Sequence, residues 1–166
     1  MSAPPEIAHL KLGFIALTDC APLVVAKERG LFEAEGLDVT LSREASWANI
    51  RDRVVSGALD GAHMLAPMAL ACTLGAGTPA CPVIAPISLN ANGSSITLSR
   101  RLAEQVREFG GDAPPGTPRT AHALKRLIDR RAAAGERPLT FAVVFPFSIH
   151  NYLLRYWLAD GGAGRT

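Results

Sequence analysis

In "EASWANIRDR" a serine stands before the first tryptophan of the chain, and in "FPFSIHN" a histidine follows two aromatic residues and a proline. Ser46 is a good helix N-cap, which puts Trp47 at a helix start beside free backbone N–H groups. An isolated tryptophan there is either core or a cleft wall whose indole N–H points at an anion. His150 stands at a second helix start, after a strongly apolar stretch. It is either a plain capping-region residue or a directed N–H donor at the positive end of a helix. "NANGSS" offers Asn92 and Ser94, in a plain turn or in a hinge loop that supplies donors. His63, in "LDGAHML", falls at the carboxyl end of a short strand and is a candidate to back such contacts. All these donors are neutral or weakly basic. That suits a small, weakly hydrated oxyanion better than a phosphate, which would call for arginines.

Other chemistries lack their residues. No G-x-S-x-G, no P-loop, no G-x-G-x-x-G after a strand and no H-E-x-x-H occurs. The four histidines have no short metal-ligand spacing, and His122, early in a charged helix, reads as solvated. Cys20, Cys72 and Cys81 form no C-x-x-C pair and no even framework, which argues against a disulfide scaffold or a zinc site and fits a reducing compartment. No cofactor and no metal are expected. The net charge of +2 argues against nucleic acid or an anionic membrane surface as partner. A hydrophobic fraction of 48% with a charged fraction of 19% is a globular composition. No secretory leader is apparent before the first strand, so the expected location is cytoplasmic as written, and periplasmic or membrane-associated if the true start lies upstream.

The elements that must hold these residues follow from the patterning. Residues 9–17, "HLKLGFIAL", read as a strand. Thr18 or Asp19 caps a helix with Pro22 in its first turn and Gly30 at its end. Residues 37–41 form a second strand, 46–56 a helix, 61–64 a third strand, 67–74 a small apolar helix and 82–89 a fourth strand. This alternation predicts an α/β fold with a parallel sheet flanked by helices. Ligands of such sheets sit outside the carboxyl ends of the strands, here at 18–19, 46–47 and 63–67. Residues 90–99 turn small and polar, as a crossover would. Helices are predicted at 100–109, 120–134 and 148–159, and a strong strand at 139–145. The expected division is a first α/β lobe over 1–90, then a crossover and partial second lobe over 91–166. One convincing strand with three helices is not a finished sheet, so the expectation is a fragment.

Four segments together carry a resemblance: "TDCAPLVVAKERGLFEAEGLDV", "ASWANIRDRVVSGALDGAHMLAPM", "SLNANGSSITLS" and "FPFSIHNYLLRYWLADGG". They closely resemble the nitrate- and bicarbonate-binding solute receptors of ABC transporters, and equally a cytosolic nitrate/nitrite sensor of the same fold. The resemblance covers nearly the whole chain. It implies a type II periplasmic-binding-protein fold, in which two lobes close on a ligand, with the second lobe incomplete here. It implies that Trp47 and His150 contact the anion; Ser46, Ser94 and Asn92 are the neighbouring candidates from the residues themselves, with His63, which matches no contact of the family, behind them. Where the family has a glutamine directly after Asn-Gly, this chain has the shorter Ser94. A further basic contact of the family falls in its later half, which has no counterpart here. The implied partners are a small oxyanion and either ABC membrane subunits or a cytosolic regulatory protein. The implied role is binding, not catalysis. A thiamine-pyrimidine-precursor synthase of related fold is the enzymatic alternative, but it needs a cysteine-rich segment that three dispersed cysteines do not supply. A non-functional truncated product is the remaining alternative.

Overall fold

The structure, a computed structural model, describes residues 5–91, 93–110, 114 and 119–163. Asn92 lies outside these residues. The chain divides into two compact units, Met1–Asn92 and Gly93–Thr166.

The first unit is built on a parallel sheet. Strand β1 (His9–Phe14) lies between β2 (Asp38–Arg43) and β3 (Gly61–Ala62), giving the order β2-β1-β3. β1 runs in register with β2 from His9↔Asp38 to Phe14↔Arg43, and with β3 at Leu12↔Gly61 and Gly13↔Ala62. The ladder extends past the strand ends: Glu44 N donates to Phe14 O (2.8 Å) and His63 N to Gly13 O (2.9 Å). Gly13 is closely packed, since a Cβ there would meet Leu59 Cδ1 at 2.6 Å.

Short helices fill the connections. A 3-10 turn, Thr18–Cys20, leads into α1 (Ala21–Glu28), followed by the single turn α2 (Leu31–Ala34). The expected side-chain cap from Thr18 or Asp19 does not form. The 3-10 turn moves the start of α1 beyond them, and Cys20 takes the cap position without a side-chain bond. α3 (Trp47–Val55) is capped as expected: Ser46 Oγ accepts from Asn49 N at 3.1 Å. α4 (Ala66–Leu74) ends at Gly75 in the left-handed conformation, φ +71°. The core of this unit gathers Val39, Ile50, Leu59, Met68 and Cys72.

The second unit is helical: α5 (Arg100–Glu108), α6 (His122–Ala133) and α7 (Ile149–Asp160). Ala123, Leu124 and Leu127 of α6 and Leu154 of α7 make its core. Gly161, just after α7, packs so closely that a Cβ there would lie 2.6 Å from the backbone carbon of Ala121.

Two expected strands are corrected. Residues 82–89 and 139–145 belong to no ladder among the described residues. The first contains Pro82 and Pro86, which lack the N–H a ladder needs, and its Ile84 and Ile87 stand in solvent. The second is apolar enough for a strand, but Val143 and Val144 are exposed. Apolar, β-branched composition favours an extended backbone; a strand also requires a hydrogen-bonded neighbour.

Candidate functional site

Trp47 is the first residue of α3, three residues past the β2 ladder's last extension at Glu44. Its placement is over-determined. Glu44, only 5% exposed, accepts from Asn49 Nδ2 (2.8 Å) and Ser42 Oγ (2.8 Å) and is ion-paired with Arg53. Asn49 and Arg53 both belong to α3, so this buried carboxylate ties the helix to the end of β2. Ser46 spends an acceptor site of its oxygen on the cap. What it still offers outward is its hydroxyl proton.

The Trp47 ring is 9% exposed and meets the His63 ring edge-on, with centroids 5.2 Å apart and planes at 70°. This is a favoured aromatic geometry. His63 is 6% exposed, and its Nδ1 is buried with no hydrogen-bond partner among the described residues. Burial holds its pKa below the ordinary histidine value, while attraction to the Asp19 carboxylate partly opposes that. Asp19 belongs to the 3-10 turn after β1, where Asn90 Nδ2 donates to its carbonyl at 3.4 Å. Residues following all three strands therefore meet at the carboxyl edge of one parallel sheet, where such sheets bind ligands.

In the second unit Ser148 caps α7. It is fully buried, accepts from Asn151 N (3.2 Å) and donates to Phe145 O (2.7 Å). His150, in the first turn of α7, is exposed. Ser94, also exposed, lines with it a concavity of about 260 Å³ that includes Leu153, Tyr156 and Trp157. Trp157 is a wall rather than a donor, since its indole N–H is engaged by Arg119 O at 2.6 Å. A larger concavity of about 630 Å³ opens between 95–99 and 139–144 and also reaches His150.

The structure thus groups Ser46, Trp47 and His63 in the first unit, and Ser94 and His150 in the second. Sequence reasoning missed Glu44, because nothing in a sequence marks which exposed-looking carboxylate will be buried. It also missed Tyr156 and Trp157 beside His150. There a signal existed: 150, 153 and 157 recur at helical spacing along one face.

The sequence model of the NMT1-like family matches residues 3–164. The chain belongs to this family. It is 44% identical over 162 residues to the nitrate import ATP-binding protein NrtC of Synechocystis sp., covering 94% of this chain and 22% of that protein. It is 42% identical over 156 residues to the bicarbonate transport ATP-binding protein CmpC of the same organism, covering 93% and 21%. With the nitrate/nitrite binding protein NrtA of Synechocystis sp. it shares 39% identity over 165 residues, 95% of this chain and 34% of that one. The crystal structure of the periplasmic nitrate-binding protein NrtA from Synechocystis PCC 6803 superposes with a TM-score of 0.75 at 36% identity, over 96% of this chain and 40% of the other. The NMT1-like chain therefore spans between a fifth and two fifths of the proteins it matches. The resemblance to nitrate-binding receptors holds, and so does the periplasmic-binding-protein fold with its parallel sheet flanked by helices.

Proposed function

We propose that this chain carries anion-contacting residues of a receptor for a small monovalent oxyanion of the nitrate, nitrite and bicarbonate class, serving ABC membrane subunits in import. The observation that carries this reading is the Trp47–His63 pair at the carboxyl edge of the sheet, on a helix start held by Ser46 and Glu44. A flat indole walls a flat anion, and its N–H is a neutral donor that does not demand a divalent charge. In the second unit His150 and Ser94 offer further donors at the rim of one concavity. The relatives' names support the same ligand class, because nitrate and bicarbonate are both planar and singly charged. They favour a transport component over a cytosolic sensor, and hence a location on the side of the membrane from which the anion is taken up. The role is binding rather than turnover.

The test is titration calorimetry of the chain with nitrate, nitrite, bicarbonate and, as a control, phosphate. Saturable binding of at least one of the first three, with none of phosphate, is expected. Trp47→Phe keeps the ring but removes the N–H, so it should weaken binding by about tenfold or more, the usual worth of a hydrogen bond to a charged group. Phosphate binding as well as the monovalent anions, or an unchanged affinity in Trp47→Phe, overturns the assignment.

A further inference from the structure

The fold places two of the three cysteines side by side. Cys72 lies in the last turn of α4, and Cys81 follows the turn that begins at Gly75. Cys81 N donates to Cys72 O at 2.9 Å. Next to it, Val83 N donates to Thr73 Oγ1 (3.1 Å), and Thr73 Oγ1 donates to Val83 O (3.2 Å). Ala80 closes the turn against Gly75, whose Cβ would lie 3.3 Å from it. The segment from 80 to 83 is therefore laced to the end of α4. That backbone bond puts the two residues in direct main-chain contact, and a disulfide needs α-carbons within about 7 Å of each other. Both thiols are free.

We propose that Cys72 and Cys81 are a disulfide-forming pair that staples the C-terminal turn of α4 to the segment following it. The two thiols differ in a way that orders the chemistry. Cys72 is wholly buried and burial pushes its thiol pKa up, whereas Cys81 is half-buried. The Cys81 thiolate attacks a small-molecule disulfide of the glutathione class and releases one thiolate. Cys72 then gives up its proton and attacks the Cys81 sulfur, expelling the second. Two protein thiols and one disulfide become one intrachain disulfide and two small thiols. Two electrons pass to the small disulfide, and no other oxidant is needed. Cys20, buried in the 3-10 turn of the same unit, takes no part and is an internal control. An odd count with no C-x-x-C spacing hid this pair in the sequence; the turn around Gly75 and Gly77, both with positive φ, brings it together.

The chain is equilibrated with mixtures of reduced and oxidised glutathione, quenched with acid, unfolded in guanidinium so that every remaining thiol is reachable, labelled with a maleimide mass tag and mapped as peptides. Cys72 and Cys81 should lose labelling together, with a linked 72–81 peptide two mass units lighter, while Cys20 stays labelled. The oxidised form should melt higher by about 5 to 10 °C, as closing a short loop implies. Cys81→Ser should abolish the linked peptide, and Cys20→Ala should leave it. Glutathione retained on Cys81 with Cys72 still labelled, or a link through Cys20, overturns the proposal.

Discussion

In the first unit Trp47 and His63 follow paired strands; in the second His150 follows a segment that joins no ladder among the described residues. Trp47 and His63 come directly after β2 and β3, whose ladders continue to Glu44 and His63 themselves. Both side chains are buried. His150 follows 139–145, which has no ladder among the described residues, and it stands exposed although Ser148 caps its helix just as Ser46 caps α3. A cap aims the first turn of a helix, but a ladder fixes where that turn sits against the rest of the fold. Equal caps with unequal ladders give equal local geometry and unequal burial.

Truncating the two residues tests this contrast most severely. Trp47→Ala removes a buried indole and opens a cavity beside His63, so it should cost about 3 to 5 kcal/mol. His150→Ala removes a side chain already in water and should stay within about 0.5 kcal/mol. Urea denaturation of both variants measures the difference. Equal losses would mean that the second unit holds His150 as firmly as the first holds Trp47.

A pair of glycines separates the units by packing instead of chemistry. Gly161→Ala drives a Cβ to 2.4 Å from Ala121 Cβ and 2.8 Å from its Cα, where backbone must move. Overpacking of that kind costs about 2 to 3 kcal/mol. Gly13→Ala meets Leu59 at the far end of a side chain, 2.6 Å away, and that end can rotate. About 1 to 2 kcal/mol is expected there. Melting curves for the two variants rank them, and a reversed order would put the tighter packing in the sheet unit.

How much of this could be read beforehand follows the same division. Period, caps and glycine stops announced β1, β2, α3, α4 and α7 because each is set by neighbours in sequence. Ser46 is a case where a single residue type predicted a bond that forms. The strands at 82–89 and 139–145 were misread because pairing is a long-range property. "LTFAVVF" looks the same in sequence whether or not a neighbouring strand lies beside it. The motif around Trp47 was legible as a family signature. Its support was not, since Glu44 acts only once Asn49 and Arg53 are folded over it. The edge contact with His63 joins residues from two different strand–helix connections, which no local pattern reports.

The smallest effect expected concerns that contact and comes from acid. His63 is buried, with Nδ1 unpartnered among the described residues, and its pKa lies below the ordinary value. Below pH about 6.5 the unfolded chain takes up a proton here that the folded chain refuses. Stability from this group is therefore fully present above that pH, and it falls as pH drops toward the lower folded value. His63→Phe keeps a ring against Trp47 and removes the titration. Because it also removes a buried polar atom without a partner, it should leave stability at pH 8 unchanged or slightly higher. Denaturation midpoints at pH 5.5 and 8 for both proteins decide it. The wild type should weaken on acidification more than His63→Phe does. A parallel loss in both would trace the acid response to other groups and leave His63 as packing alone.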